Sequence, residues 1–417
     1  MCAKRSDGPI FVVGSPRSGT SILTWCLGQH ANILPQEESG WLGEFAVSLG
    51  VHFRTGTACG ARSQLTSLGI DDANFFRTFG NCVNTMILNH RFRQEDMSRE
   101  LGRTDPSQIN PAFRVSRSAE EPKLRWVDGT PEYSYYIAGL RKLFPDAKFV
   151  HIVRDVRSVV DSMLNFRMSD GRKLVETEQQ AYEYWLGTVQ PCVHAESAYG
   201  PEVVHRLRYE DLLHRPEQTI RSVLCFLNET YMDACLQPLA SKINSSQVQA
   251  GFDARESHSD MHVLERAWHL SDQLQQSKPV SYDTNETFAL LEETFSKRVA
   301  FIAELGVMYA AAQRKVTTLT KRLNRCGVGL ATNFLLSSIA LYTLWMGSWS
   351  GTSAIATWFL SSSIGIIGYL AIRWAGLRGY GIRMLRRYHG HNSFKPPVSA
   401  GDASRPLRAQ GLEIKKI

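Results

Sequence analysis

Residues 11–23, Phe-Val-Val-Gly-Ser-Pro-Arg-Ser-Gly-Thr-Ser-Ile-Leu, constrain the chain more than any other stretch. An apolar run ends at Gly14, a glycine-containing turn follows, and a helical pattern opens at Thr20. A strand, a loop and a helix N-terminus in that order aim backbone N–H groups and the positive end of a helix dipole at one anion. Gly14 and Gly19 have the G-x4-G spacing of a Walker A loop, but Thr20 stands where the lysine belongs. Arg17 is the loop's only cation. The loop therefore suits a phosphate-like group and not the magnesium–triphosphate chemistry of an ATPase. Glycine turns between strand and helix are also common in α/β proteins that bind no anion, so that alternative stays open at this point.

Other segments repeat the alternation of strand and helix. The segment Ile33 to Gly40 reads as turn-rich and carries the adjacent carboxylates Glu37 and Glu38. Residues 41–112 read as helices and loops. A second ordered block opens at Leu124 to Pro131, and Tyr133 to Leu143 has helical spacing. The run Lys148 to Val153 is β-branched and almost wholly apolar, as a buried parallel strand should be. Arg154-Asp155 follows it directly, then a helix from Val156 to Leu164. Further strand and helix signals occur at Val203 to Leu207 and Pro216 to Leu227. This pattern predicts an α/β fold with a three-layer parallel sheet. Ligands of such sheets sit beyond the carboxyl ends of the strands, where both the 14–20 loop and Arg154 fall.

Charge excludes a nucleic-acid groove. The net charge is +7, but the stretch from Arg373 onward holds ten Lys/Arg against two Asp/Glu, leaving 37 basic and 38 acidic groups in residues 1–372. The eight cysteines are scattered with no C-x-x-C pair, so neither a disulfide framework nor a zinc site is expected. His258, His262 and His269 lie near one another without a carboxylate pattern, and no metal is expected there either. The N-terminus has no apolar h-region, so no signal peptide is expected.

Residues 284–325 are helix-like and end in a basic stretch with Arg314, Lys315, Lys321, Arg322 and Arg325. From Gly327 to Ile372 no residue is charged. As one helix those positions would run to about 69 Å, against a hydrocarbon core of about 30 Å. Gly347 to Gly351 divides the run, so the expectation is a C-terminal transmembrane helical hairpin of 327–346 and 352–372. Basic flanks put both ends in the cytoplasm by the positive-inside rule. The expected organisation is a catalytic domain over 1–310, a basic juxtamembrane helix over 311–326, the two spans, and a basic tail over 373–417. The catalytic domain would face the cytosol beside the lipid bilayer.

The two ordered blocks together resemble the sulfotransferases that use 3′-phosphoadenosine 5′-phosphosulfate (PAPS). Ser15 to Ser21 matches the family's P-R-S-G-T-[TS] loop for the 5′-phosphosulfate. Phe149 to Asp155 with Ser162 matches its 3′-phosphate segment, and Arg208 to Leu212 with Pro216, Phe226 and Leu227 matches its Y-E-D-L…P…F-L region. The resemblance implies a P-loop-like sulfotransferase fold and PAPS as co-substrate without a metal. It places Arg17, Ser18, Gly19, Thr20, Ser21, Arg154, Ser162 and Tyr209 at the donor. The residues agree: a donor with anions at both ends needs two cationic sites, and Arg17 and Arg154 supply guanidinium forks for them. The alternative for Arg154-Asp155 is a surface ion pair after a strand.

In the protein-tyrosine branch of the family a Glu-Glu-Thr follows the loop, and its second Glu is the proposed base. Glu37-Glu38-Ser39 has the same offset here, and His30 also matches that branch. This implies Glu38 as the base with Glu37 in reserve, and Arg17 as the catalytic cation. Many relatives carry Lys in the W-x-[DE]-K-[TS]-P segment, where this chain has Gly129 in Trp126 to Pro131, so a second catalytic cation is in doubt. Asp128 and Thr130 are expected to shape the acceptor pocket, with residues 41–112 and the polar run Arg167 to Gln180 forming the rest of it and its lid. The expected reaction is sulfuryl transfer to a hydroxyl of a lipid, glycolipid or saccharide acceptor. The alternatives are a P-loop phosphotransferase or a nucleotide-binding membrane protein without activity.

Overall fold

Five short strands, most of them buried on both faces, carry the fold: β1 (Ile10–Gly14), β2 (Ile33–Gln36), β3 (Arg125–Asp128), β4 (Lys148–Val153) and β5 (Val204–Arg208). All neighbours pair in parallel, in the order β2-β3-β1-β4-β5. The computed structural model describes residues 8–100, 123–168, 171–240, 260–276 and 282–347. Its helices are α1 (Thr20–Gly28), α2 (Trp41–Thr57), α3 (Gln64–Ser67), α4 (Asp72–Glu100), α5 (Ile137–Leu143), α6 (Val156–Asn165), α7 (Glu178–Tyr199), α8 (Tyr209–His214), α9 (Pro216–Phe226), α10 (Gln237–Ala240), α11 (Met261–Gln275) and α12 (Thr284–Gly347).

Alternation along the strands makes the three layers. Phe11, Val13, Trp126 and Phe149 face a core completed by α2, α4, α5 and the start of α12. Ile10, Val12, Val127 and Val150 face the opposite core, under α1 and α9. A third cluster joins α6, α7 and α11. Phe11 anchors the first core, edge-on to Trp126 and Tyr133 at 5.5 Å and stacked on Phe149 at 5.3 Å. Both faces are covered, which is why β1, β3 and β4 read as unbroken buried runs.

β1 lies at the centre, between β3 and β4. The chain leaves it to one side, through β2 and β3, and crosses back over it to β4. This reversal of strand order opens a crevice at the carboxyl ends of β1, β3 and β4. The amino ends of β2 and β3 are closed by buried polar groups. Lys123 Nζ donates to the carbonyl oxygens of Gly28, His30 and Ile33, and Asn32 Nδ2 donates to Glu229 at 3.0 Å. His30 belongs to this end: its Nε2 lies 2.8 Å from the Thr230 carbonyl.

Two local expectations change, and a third segment gains detail. Ile33–Gln36 is a strand and not a turn: among the described residues it forms the sheet edge and pairs with β3 alone. An edge tolerates Pro35, whose missing N–H would break a central ladder. The helical spacing after Pro131 begins as a 3-10 helix, Pro131–Tyr136, before α5 takes over. Within Arg167 to Gln180, Arg167 and Lys173 form an isolated antiparallel bridge, and Thr177 with Gln180 makes the capping box that starts α7.

The membrane expectation is overturned. Among the described residues no helix is long and apolar enough to cross a membrane. The expected first span, 327–346, is the end of α12, one helix of 64 residues that starts at Thr284 and runs through the basic stretch without a break. Freedom from charge is a weaker property than apolarity, and those positions include Thr332, Asn333, Ser337, Ser338 and Thr343. The expected second span, 352–372, and the tail 373–417 lie outside the described residues. The two-span, cytosol-facing placement therefore falls. The chain divides into two compact units, Met1–Leu305 and Gly306–Ile417, and the sheet, the crevice and all helices up to α11 belong to the first.

Candidate active site

β1 ends at Gly14, whose φ of 141° puts it in a region that favours glycine; a Cβ there would lie 2.5 Å from the Ile152 carbonyl oxygen of β4. The loop then turns through Arg17, a non-glycine residue held at φ 69°. This left-handed conformation costs about 1–2 kcal/mol for a residue with a Cβ, and such strain tends to collect at functional positions. Gly19 closes the loop at φ 104°, and a Cβ on it would lie 2.5 Å from the Tyr209 ring. Tyr209, from the start of α8, thus rests directly on the loop.

Gly19 caps α1 without a side-chain hydrogen bond, and the first turn of α1 has no acid. The initial N–H groups of α1 therefore face the crevice with the positive end of the helix dipole and no built-in carboxylate. Ser18 turns its hydroxyl inward to the Ser15 carbonyl, and Thr20 is buried. Ser21 is exposed, and its hydroxyl donates to Glu38 Oε1 at 2.6 Å.

The two segments singled out for the two ends of a donor are physically joined. Arg17 Nε donates to Ser162 Oγ at 3.1 Å, and Arg154 Nη1 donates to the Arg17 carbonyl at 3.1 Å. Arg17 lies over the Phe166 ring at 4.3 Å, and Arg154 over the Tyr209 ring at 4.7 Å. Asp155 does not form the surface ion pair with Arg154 that its position allowed; it caps α6, accepting from the Ser158 N–H at 3.0 Å. All nine sequence-predicted residues, Arg17, Ser18, Gly19, Thr20, Ser21, Glu38, Arg154, Ser162 and Tyr209, lie at this one crevice. Two guanidinium groups side by side have an electrostatic cost: burial first, and Arg154 second, lower the Arg17 pKa from its ordinary value. Bound anions would relieve that cost.

Acidic groups face the cations. Glu38 remains in contact with solvent, yet protein hems it in, and loss of bulk water is the largest cause raising its carboxyl above the ordinary range. Glu132 and Asp128 raise it further, while the Ser21 hydrogen bond and Arg17 pull it back. Asp128, at the end of β3, is 2% exposed, and burial pushes it up to about 6 against the hydrogen bonds from Thr130 and Tyr133. Glu132 accepts from the Tyr184 hydroxyl at 2.6 Å.

Ser134, Phe166, Glu132 and Tyr184 were not legible as site residues. Ser134 Oγ accepts from the Gly14 N–H at 3.0 Å, and its one proton lies between the Pro131 carbonyl at 2.7 Å and the Gly14 carbonyl at 3.1 Å, fixing the point where strand becomes loop. Nothing in the spacing marks these four; only the crossing of the chain over β1 brings them in. Three residues after Glu38 in the chain, a run of rings starts on α2 and continues onto α4, from Trp41 to Phe45 at 5.7 Å, then Phe79 at 6.5 Å and Phe75 at 5.0 Å. Trp41 and Phe79 are 40% and 38% exposed.

Gly129 has a steric reason. A Cβ there would lie 2.1 Å from Thr24 Oγ1 and 3.4 Å from the Thr20 carbonyl. α1 presses on β3 at this point, and no side chain fits. Gly129→Ala is expected to cost about 1–3 kcal/mol by overpacking. Thr24→Ala in the same chain should recover most of that loss. Chemical denaturation of the single and double variants checks this, and equal losses in both would disprove the contact.

The fold and site define an α/β protein with two guanidinium groups and an uncapped helix N-terminus at the switch point of a parallel sheet, and a carboxylate beside them. A profile of the sulfotransferase family matches residues 9–233, more than half of the chain. The chain belongs to the sulfotransferase family. Protein-tyrosine sulfotransferase 1 of Danio rerio is 23% identical over 231 residues, 54% of this chain and 55% of that protein. Protein-tyrosine sulfotransferase A of Caenorhabditis elegans is 22% identical over 252 residues, 60% of this chain and 58% of that protein. The chain thus spans somewhat over half the length of these curated relatives. Among solved structures, the sulfotransferase domain from the curacin biosynthetic pathway is similar with a TM-score of 0.35 and 22% identity, covering 68% of this chain and 97% of that domain.

Proposed function

We propose that this chain is a sulfotransferase that moves a sulfuryl group from PAPS to an acceptor hydroxyl, with Arg17 and Glu38 as its catalytic pair. The observation that carries the reading is the hydrogen-bonded junction of Arg17 with Ser162 and Arg154. It sets two cationic sites side by side on loops far apart in sequence, as a donor with phosphate at both ends requires. The uncapped N-terminus of α1 with Arg17 fits the 5′-phosphosulfate, Arg154 with Ser162 fits the 3′-phosphate, and the gap at Gly19 admits Tyr209 as a wall of the donor site. When bound, the donor supplies the sulfuryl group and a phosphate leaving group.

Glu38 takes the proton of the acceptor hydroxyl as the new O–S bond forms and the S–O bond to the phosphate breaks. Arg17 stabilises the charge left on that phosphate oxygen. A cation preset in a partly dry crevice does this without reorganising at the moment of transfer. The rings from Trp41 to Phe75 begin three residues after Glu38 in the chain and offer flat apolar faces. They suit an acceptor whose hydroxyl sits on a body with an apolar face, such as a saccharide or lipid, and they would pack against a tyrosine ring as well.

The phosphotransferase alternative requires a loop lysine and a free acid at a strand end. Thr20 replaces the first, and Thr130 and Tyr133 engage both oxygens of Asp128. The test is incubation with labelled PAPS and, separately, a lipid extract, an oligosaccharide pool and tyrosine peptides, followed by mass spectrometry for an added SO3. A product in the lipid or saccharide arm is expected. Product in the peptide arm alone would overturn the acceptor reading. Binding of 3′-phosphoadenosine 5′-phosphate with no product in any arm would overturn the enzyme reading.

A further inference from the structure

The segment where many relatives carry a lysine ends here in a hydrogen-bonded hook. Asp128 Oδ1 accepts from the Thr130 N–H at 2.9 Å and from Thr130 Oγ1 at 2.6 Å, and Asp128 Oδ2 accepts from the Tyr133 hydroxyl at 3.2 Å. With its proton committed to Asp128, Thr130 Oγ1 presents a lone pair outward and accepts the N–H of Ser39 at 3.1 Å. Ser39 directly follows Glu38, whose carboxylate is held at the other end by Ser21. Asp128, Thr130 and Tyr133 are all buried, at 2%, 3% and 0% exposure. Glu38 and Ser39 are exposed and lie between β2 and α2, where no regular ladder fixes the backbone.

We infer that Asp128 and Thr130 are positioning residues: through the Ser39 backbone they hold Glu38 against the donor loop. The inference rests on the proposed role of Glu38 as base. Each member has a directional job. The buried carboxylate orients the Thr130 hydroxyl, the hydroxyl clamps one amide, and that amide fixes the backbone of a side chain which otherwise has solvent on one side. Buried networks of this kind rigidify what they hold, and loss of orientation alone can cost about 10²-fold in rate. The missing lysine and the hook are linked in space. Gly129, which lets α1 lie against β3, sits between the two residues that make the hook.

The groups facing this network are Glu38, Glu132, Tyr133 and Arg17. Removing the Asp128 charge therefore acts on Glu38 in a second way, by taking away one neighbour that raises its pKa.

The test compares Thr130→Val, which keeps shape and loses the hydroxyl, with Thr130→Ser, which restores it, and with Asp128→Asn. Thr130→Val is expected to lower kcat by 10-fold to 100-fold with unchanged affinity for 3′-phosphoadenosine 5′-phosphate, and Thr130→Ser to recover most of the rate. Asp128→Asn should also move the acid limb of the kcat profile to lower pH. Backbone hydrogen exchange at Ser39 reads the hook without any turnover, and Thr130→Val should speed it at least 10-fold. An unchanged kcat in an active Thr130→Val protein overturns the inference, and so does unchanged Ser39 exchange. A wild-type protein without sulfuryl transfer leaves the exchange measurement to decide the hook while removing the proposed function.

Discussion

Arg17→Ala is expected to lower kcat by about 10²–10³-fold, the cost of deleting one donor preset for developing charge. The substituted protein should still fold, because the loop's anchors lie elsewhere: Ser134 on Gly14, Ser18 on Ser15, and Tyr209 on Gly19. Arg17→Lys tests charge against geometry. A lysine keeps the cation but has no Nε to donate to Ser162 and no planar group for the Phe166 face. Its rate should fall between those of wild type and alanine. Arg17→Gly adds a second reading, since glycine accepts a φ of 69° without strain. The roughly 1–2 kcal/mol of backbone relief offsets the lost ring contact, so this variant should melt close to wild type while being as inactive as alanine. Single-turnover kinetics with labelled PAPS, beside thermal melts, checks all three. Full activity in Arg17→Ala would refute the cation's role.

Glu38→Gln is expected to reduce kcat by about 10²–10⁴-fold, the range for losing a general base, and to leave 3′-phosphoadenosine 5′-phosphate binding intact. The sign of the pH dependence follows from the site. A base works only when deprotonated, and burial with Glu132 and Asp128 nearby raises the Glu38 pKa. Activity should therefore be present on the alkaline side and fall as pH drops through a value above the ordinary carboxylate range. Glu132→Gln removes one of the raising charges and should shift that limb toward lower pH without removing the base. A kcat profile flat through the acid range in wild type, or a Glu38→Gln rate equal to wild type, would reject the assignment.

That the 14–20 loop and Arg154 come together was legible in sequence because each part is local. Strand, loop and helix from Phe11 to Leu23 form one continuous motif, and Arg154 follows its strand at once. Both loops depend on short-range backbone geometry, and short-range geometry is written in consecutive residues. The approach of Glu38 to the loop was legible only through its offset in sequence. Ser134 and Phe166 reach the loop from 120 and more residues away, which no local pattern encodes. The second strand was missed because Pro35 reads as a breaker until its edge position is known. The membrane hairpin failed for a different reason: a run without charge was weighed as if it were a run without polarity, and α12 passes through its first half as a continuation of a longer helix.

The hydrogen bond from the Gly14 N–H to Ser134 has a consequence for how acceptor choice could change under the proposed function. Residues 128–134 brace the 14–20 loop through Ser134 and hold the Ser39 backbone next to Glu38 through Thr130, so under the proposed function one short piece of chain would register both reactants. A change to its backbone course would be felt at both. The rings on α2 and α4 carry no such double duty. New acceptors are best reached by altering Trp41, Phe45 and Phe79, with the 128–134 piece left untouched, as a tool-maker swaps the jaw and keeps the hinge.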